Sequence, residues 1–375
     1  MIYLDNAAST APLDEVVDKV AYVMKHVYAN PSSLHKKGIE AENIIKFASD
    51  YFASKLGCSR DDIIYTSGGT ESNNLAILGV ANAYHRYGNK IITTSIEHSS
   101  VKEVMTFLSK DNGLNEFEIC ILPTDEFGHI NLEQLRAEIN DNTILVSIMH
   151  VNNEIGAIQN INQIGQLIKT ANPNTIFHVD AVQSFTKLPI SIKSAKIDLL
   201  SVSAHKFYGP KGVGFLYKNN KVRLANILHG GGQQKNLRSG TENTAGIAGM
   251  HEAAVWCFSQ FDDIREHYLM CKQHLADGIL TTIPNTKING PSIGEGAPHI
   301  LNIDFDGIKS EVLLHALESH DIFVSAGSAC SSKKQSIRPN AIRFSFSKYT
   351  SLADLDYTVK ILDQQVNILR RYSAR

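Results

Sequence analysis

Between residues 62 and 217, short apolar runs alternate with stretches of helical spacing, and this alternation restricts the fold more than any other feature. Runs at 62–66 (DIIYT), 90–94, 117–122, 143–149 (TILVSIM), 175–179, 199–203 and 214–217 read as buried strands. Helical spacing fills most of the gaps, through Leu75, Ile77, Leu78 and Val80, then over 99–108, 132–139 and 161–170. Parallel strands need long crossover connections, and a strand covered on both faces reads as an unbroken apolar run. The pattern therefore predicts an α/β chain with a mainly parallel seven-stranded sheet and helices on both faces. Helices are also expected ahead of it, over 14–28 and 37–56.

After Arg238 the texture changes. A long helical segment over 245–280 is followed by a strand at 299–305, a helix at 310–319, strands at 322–325 and 341–345, and a final helix at 352–369. These elements read as a smaller α/β C-terminal domain, joined by the N-terminal residues folding back. The chain of 375 residues is long enough for two cores. The expected division is 15–255 for the large domain and 1–14 plus 256–375 for the small one.

In open parallel sheets, ligands sit beyond the carboxyl ends of the strands. The chemically suggestive clusters fall there. At 201–214 the sequence SVSAHKFYGPKGVG sets Lys206 at a strand end among small residues. A lysine so placed can lose water, drop its pKa and form a Schiff base, which points to pyridoxal 5'-phosphate (PLP). A surface lysine in a loop is the plainer reading. SGGTESNN at 67–74 follows one strand and opens a helix. Its glycines allow close backbone approach, helix N-terminal amides face an anion, and Thr70 adds a hydroxyl. A glycine turn with a helix cap is the alternative. Asp180, in FHVDAVQ, could pair with a protonated pyridine nitrogen, with Gln183 in reach of the same ligand; aspartate is equally an ordinary helix N-cap. His98, in IEHSS, could stack on a flat cofactor and move protons. MHVNNEIG offers Asn152 and Asn153 for polar contacts, and GGGQ with LRSGTEN forms a second glycine-rich loop with Thr241 as an anion contact.

Two further residues suggest a substrate. Cys330 lies in SAGSACSS, among small residues that give access, and a reactive thiol needs access. Arg343, in IRFSFS, could clamp a substrate carboxylate bidentately or form a structural salt bridge.

The motifs YLDNAAST, NPSSLH, TSGGTESNN, IEHSSV, MHVNNEIG, FHVDAVQ, SAHKFYGPKGVG, GGGQ, RSGTEN and SAGSACSS occur in this order. In this the chain resembles the NifS/IscS-like cysteine desulfurases, class V of the PLP aminotransferase superfamily, over nearly its whole length. The resemblance implies PLP fold type I and removal of sulfur from L-cysteine, giving L-alanine and a persulfide on Cys330. It implies that Lys206 holds PLP, Asp180 pairs with the pyridine nitrogen, Gln183 contacts the ring hydroxyl and His98 stacks on the ring. Asn153 would touch the cofactor, and Gly69, Thr70, Ser203 and His205 would bind its phosphate. Thr241 would reach the phosphate site of a second subunit, which implies a homodimer, and Arg343 would hold the substrate carboxylate. The persulfide would pass to a sulfur-acceptor protein, in iron–sulfur cluster assembly, tRNA thiolation or DNA phosphorothioation.

The chain departs from the family pattern in places. Ala29 stands where glycine is usual, and Ser9 where threonine is. After Cys330 the segment SSKKQSIRPN leads straight to AIRFSFS, shorter than the family's, and implies a shorter tether for the thiol. Its Lys333, Lys334 and Arg338 are either a docking place for an acidic partner or a solvated loop. A sulfur-delivery subunit with low activity alone, or a related PLP lyase such as a selenocysteine lyase, are the competing readings; an aminotransferase has no use for Cys330.

The formal net charge of −2 gives no reason to expect nucleic acid or an anionic membrane as a direct partner. No apolar run approaches the length of a membrane span, so a cytoplasmic protein is expected. Five scattered cysteines without a CxxC pair suggest neither a structural zinc site nor a disulfide framework.

Overall fold

The computed structural model describes residues 1–110, 116–326 and 340–373. The seven apolar runs form one sheet, in the order Ile63–Thr66, Gly214–Lys218, Leu199–Ser203, Ile176–Asp180, Thr143–Met149, Lys90–Thr94 and Glu118–Leu122. From Leu199–Ser203 to the Glu118–Leu122 edge all pairs are parallel. Gly214–Lys218 runs antiparallel to both neighbours. The connection over 204–213 is too short for a crossover helix, so the chain can only turn back.

Side-chain alternation divides each strand between two cores. Leu200, Val202, Phe215 and Tyr217 face one core with Phe52, Phe177 and Phe185. Leu199 and Leu216 face the other with Leu75, Ile77, Val80 and Leu145. Both faces are covered, as the unbroken apolar runs require.

A second, antiparallel sheet follows the order Ser325–Ala326, Ala341–Ser345, Ile300–Phe305 and Thr286–Ile288. Its core includes residues of the helices Phe261–Thr282, Ser310–Glu318 and Leu352–Ser373. The N-terminus joins this unit: Ile2–Tyr3 pairs in parallel with Ile322–Phe323, and Leu4 lies in its core. The chain then crosses to the large sheet, where the Thr10 N–H donates to the His205 carbonyl at 2.9 Å. Trp256 packs against both cores.

Two expectations need correction, and one strand is absent from them. The segment 245–280 is two helices, Thr244–Ser259 and Phe261–Thr282, parted at Gln260. No proline or glycine breaks it there. The first helix is buried on the large unit and the second serves the smaller core, and one straight helix cannot fill both. The run 322–325 is split between two sheets, because Val324 separates Ile322–Phe323 from Ser325–Ala326. The strand Thr286–Ile288 has no apolar run and escapes the pattern. No helix among the described residues is long and apolar enough to cross a membrane.

Candidate active site

The site begins with glycines. Gly68 has φ 146° and precedes the helix Gly69–Tyr84, whose first amides have no intrahelical acceptor. A Cβ on Gly69 would lie 2.7 Å from a Val182 methyl, and one on Gly214 would lie 2.3 Å from the Val202 carbonyl and 2.8 Å from Gly68 Cα. Only bare backbone lets this turn close over Ser203 and Val182. The positive end of a 16-residue helix thus stands at the carboxyl edge of the sheet, the natural seat for a phosphate. Glu71 secures it, accepting from the Ser67 N–H at 2.8 Å and from Arg238 at 2.7 Å. Arg238 brings the second glycine-rich loop alongside.

Lys206 closes a single helical turn, Ala204–Lys206, after the strand Leu199–Ser203. Its Nζ donates to the carbonyls of Ala7 and Ala8, both at 2.7 Å. Gln183 Nε2 donates to the same Ala7 carbonyl at 2.8 Å, and its Oε1 lies 3.3 Å from His299 Nε2. The residues from Asp5 to Thr10 are therefore the spine of the site. Ser9 Oγ lies 3.3 Å from His205 Nδ1, and Asp5 pairs with Arg343. Burial, then the neighbouring Lys206, Lys211 and Lys187, bring the His205 pKa down to about 4, so this ring is neutral at pH 7.

Asp180 ends its strand, 5% exposed. One carboxylate oxygen accepts from the Val182 N–H at 2.9 Å and the other from Asn73 Nδ2 at 2.8 Å. Asn73 Nδ2 also donates to Ser100 Oγ at 2.9 Å, and Ser100 Oγ lies 2.8 Å from His98 Nδ1. Asp180, at a strand end, and His98, the N-cap of the helix Ser99–Leu108, are thus joined by two intervening side chains. Burial lowers the His98 pKa, with Asp180 opposing and Lys206 and Lys102 adding. Glu97 beside it is 3% exposed, and burial pushes its pKa up to about 8.

Arg343 is buried in the strand Ala341–Ser345. It donates to the Asn153 carbonyl at 3.0 Å and to Asp5 at 2.5 Å, while its buried Nε has no partner among the described residues. Asn153 thus meets the site through its backbone. Thr70 is exposed on the first helical turn and Thr241 on the loop beyond Gly240. Cys330, Lys333, Lys334 and Arg338 lie outside the described residues. Cys257 and Cys271 are buried, Cys58 and Cys120 half-buried, and all four are free thiols.

Sequence reasoning missed Asn73, Ser100, Glu97 and His299. Asn73 and Ser100 stand inside motifs but look like helix-start residues. His299 opens a strand with no motif around it.

An amine at a sheet edge, a buried carboxylate, a helix terminus suited to phosphate and a neutral histidine fit PLP, and on this fold they define a fold type I PLP enzyme. The profile of the aminotransferase class-V family matches residues 2–358. Cysteine desulfurase IscS of Clostridium botulinum is 38% identical over 388 aligned residues, covering 99% of this chain and 96% of that relative. A solved NifS-like protein superposes with a TM-score of 0.92 at 34% identity, covering 98% of this chain and all of the other. SspA, solved in complex with cysteine, superposes with a TM-score of 0.78 at 31% identity, covering 94% and 100%. The chain belongs to the class-V aminotransferase family, and within it to the NifS/IscS-like cysteine desulfurases. It is a PLP-dependent enzyme that acts on cysteine.

Proposed function

We propose that this desulfurase takes sulfur from L-cysteine onto Cys330 and hands it to an acceptor protein. The observation that supports this most is the convergence of Lys206, Gln183, His205 and Arg343 on one N-terminal strip, Asp5 to Thr10. When bound, PLP withdraws electrons from the substrate's carbon skeleton, so that Cα–H and Cβ–S bonds break more readily.

The chain's residues have distinct parts. Gly69, Thr70, Ser203 and His205 hold the phosphate. Asp180 would accept a hydrogen bond from the ring nitrogen and so favour its protonated form. Gln183 would contact the ring hydroxyl, and His98 and Asn153 would help to hold the ring. Lys206 holds the cofactor and moves the substrate α-proton. Arg343 holds the substrate carboxylate, and its Nε, without a partner among the described residues, is a donor for it. The Cys330 thiolate attacks the substrate sulfur. An S–S bond forms as the Cβ–S bond breaks; the electron pair stays on carbon, and protonation completes L-alanine.

The finer assignments follow the same reading. Cys330 rides on a small domain of 1–14 plus 256–375, against a large domain of 15–255. Two copies pair, and Thr241 of one reaches the phosphate of the other. The enzyme works in the reducing cytoplasm, where such a thiol stays reduced.

The test uses purified holoenzyme and L-cysteine. Wild type is expected to release alanine and sulfide, and to carry a persulfide detectable by mass. Cys330→Ser should keep the cofactor absorbance and lose the persulfide. Full turnover by that variant would remove Cys330 from its role.

A further inference from the structure

We infer that Ser100 is a positioning residue for the reaction: its backbone N–H and its hydroxyl together hold His98 in the Nε2–H tautomer, and the hydroxyl ties that ring, through Asn73, to Asp180. The inference rests on the desulfurase reading and adds to it residues to which no role is assigned above.

Donor and acceptor accounting sets the direction of the chain. Asn73 Nδ2 faces the Asp180 carboxylate and the Ser100 hydroxyl. A carboxylate can only accept, so the amide nitrogen must face it, and its two N–H groups are then both used. The Ser100 oxygen accepts one of them. His98 Nδ1 also receives the Ser100 backbone N–H at 3.1 Å, so Nδ1 is a lone pair there. The Ser100 O–H, 2.8 Å away, therefore donates to the same nitrogen. Two donors on Nδ1 leave the proton of the neutral ring on Nε2. Every link runs one way, from Asn73 outward.

The arrangement has a cost. Asn73 is 1% exposed, and its Oδ1 has no partner among the described residues. A buried amide left half-satisfied is unfavourable, and a helix with no functional duty would lose nothing by an apolar residue there. Ser100 is likewise buried, on the first turn of Ser99–Leu108, where its backbone N–H is already capped by His98. Its hydroxyl is not needed to start the helix.

The charges facing His98 come from every packed element: Asp180 from the strand Ile176–Asp180, Lys206 from the turn after Leu199–Ser203, Glu154 from the loop beyond Thr143–Met149, and Lys102 from its own helix. Both donors to Nδ1 in the bonds described come from Ser100, its backbone N–H and its hydroxyl. Losing the hydroxyl withdraws a bond from the neutral ring only. The pKa of His98 then rises, and the ring is held less firmly.

The test uses Ser100→Ala, Ser100→Thr and wild type as apoenzyme and holoenzyme. Nitrogen-15 NMR of labelled histidine reads the tautomer, with the His98 signal assigned as the one lost in His98→Gln. Wild type should show an unprotonated Nδ1 without and with cofactor. Ser100→Ala keeps the backbone donor, so Nδ1 should stay unprotonated in the neutral ring, but its signal should shift through loss of one of its two hydrogen bonds, the His98 pKa should rise by about half a unit to one unit and kcat should fall about fivefold, with a smaller change in KM. Ser100→Thr keeps the hydroxyl and should restore the signal and the pKa. A protonated Nδ1 in wild type, or an Ala variant with an unchanged signal and pH profile, would overturn the inference. Absence of alanine from wild type would instead strike the desulfurase reading, since the apoenzyme signal does not depend on turnover.

Discussion

Replacing Glu97 with glutamine should stabilise the protein progressively as pH rises. The Glu97 side chain is buried beside the site; Oε1 accepts from the Thr94 hydroxyl at 2.6 Å and the Met149 N–H at 3.0 Å, and Oε2 has no partner among the described residues. Burial pushes its pKa from the ordinary 4.5 up to about 8, against those two bonds, with nearby Asp180 adding. At pH 7 the folded protein therefore holds a proton on Glu97 that the unfolded chain has released. The contribution of Glu97 to stability is full below pH 4.5, where both states are protonated, and is lost as pH rises toward 8. At about 1.4 kcal/mol per pH unit, the loss is about 3 kcal/mol by pH 7 and about 5 kcal/mol above pH 8. Glutamine keeps the shape and both acceptor bonds, and has no proton to lose. The assay is urea unfolding at pH 5, 6, 7 and 8, followed by the fluorescence of Trp256, the single tryptophan, which packs against both cores. Glu97→Gln should unfold within about 1 kcal/mol of wild type at pH 5 and pull ahead steadily above it. A difference that stays flat from pH 5 to 8, or a variant that falls behind as pH rises, would mean that Glu97 is ionised in the fold.

Two further outcomes follow from the site. Gly214→Ala puts a Cβ against the Val202 carbonyl and Gly68 Cα, both backbone that cannot swing away. It should cost about 1–3 kcal/mol in urea unfolding and weaken PLP binding in a titration of apoenzyme; wild-type values in both would mean that the close approach is not needed. Arg343→Lys keeps the charge but loses the planar fork, so KM for L-cysteine should rise about ten- to a hundredfold with the cofactor spectrum unchanged, and an unmoved KM would take Arg343 away from the carboxylate.

The parts of the fold that sequence displays best are those where burial is continuous. The runs at 143–149 and 199–203 become strands with those bounds, because a strand covered on both faces must be apolar throughout. The strand Thr286–Ile288 is short and half-buried, and nothing in its residues separates it from a loop. The helix break at Gln260 is invisible for another reason: helical spacing records that a face is buried, not against which core. The site divides in the same way. Lys206, Asp180 and the glycines are legible since each sits at a strand end, where local pattern and ligand geometry coincide. The spine at Asp5–Thr10 is not, because its work is done by the carbonyls of Ala7 and Ala8, and a backbone oxygen has no letter in the sequence. Ser100 and Asn73 lie between these cases. Their residue types suit helix starts, and only the distances to His98 and Asp180 show that their polar groups point inward. A second layer that orients a reactive group is chosen by geometry across elements far apart in the chain: Asn73 and Asp180 are 107 residues apart, yet 2.8 Å separates their atoms. Local pattern therefore finds the groups that touch cofactor and substrate more readily than those that hold them in place.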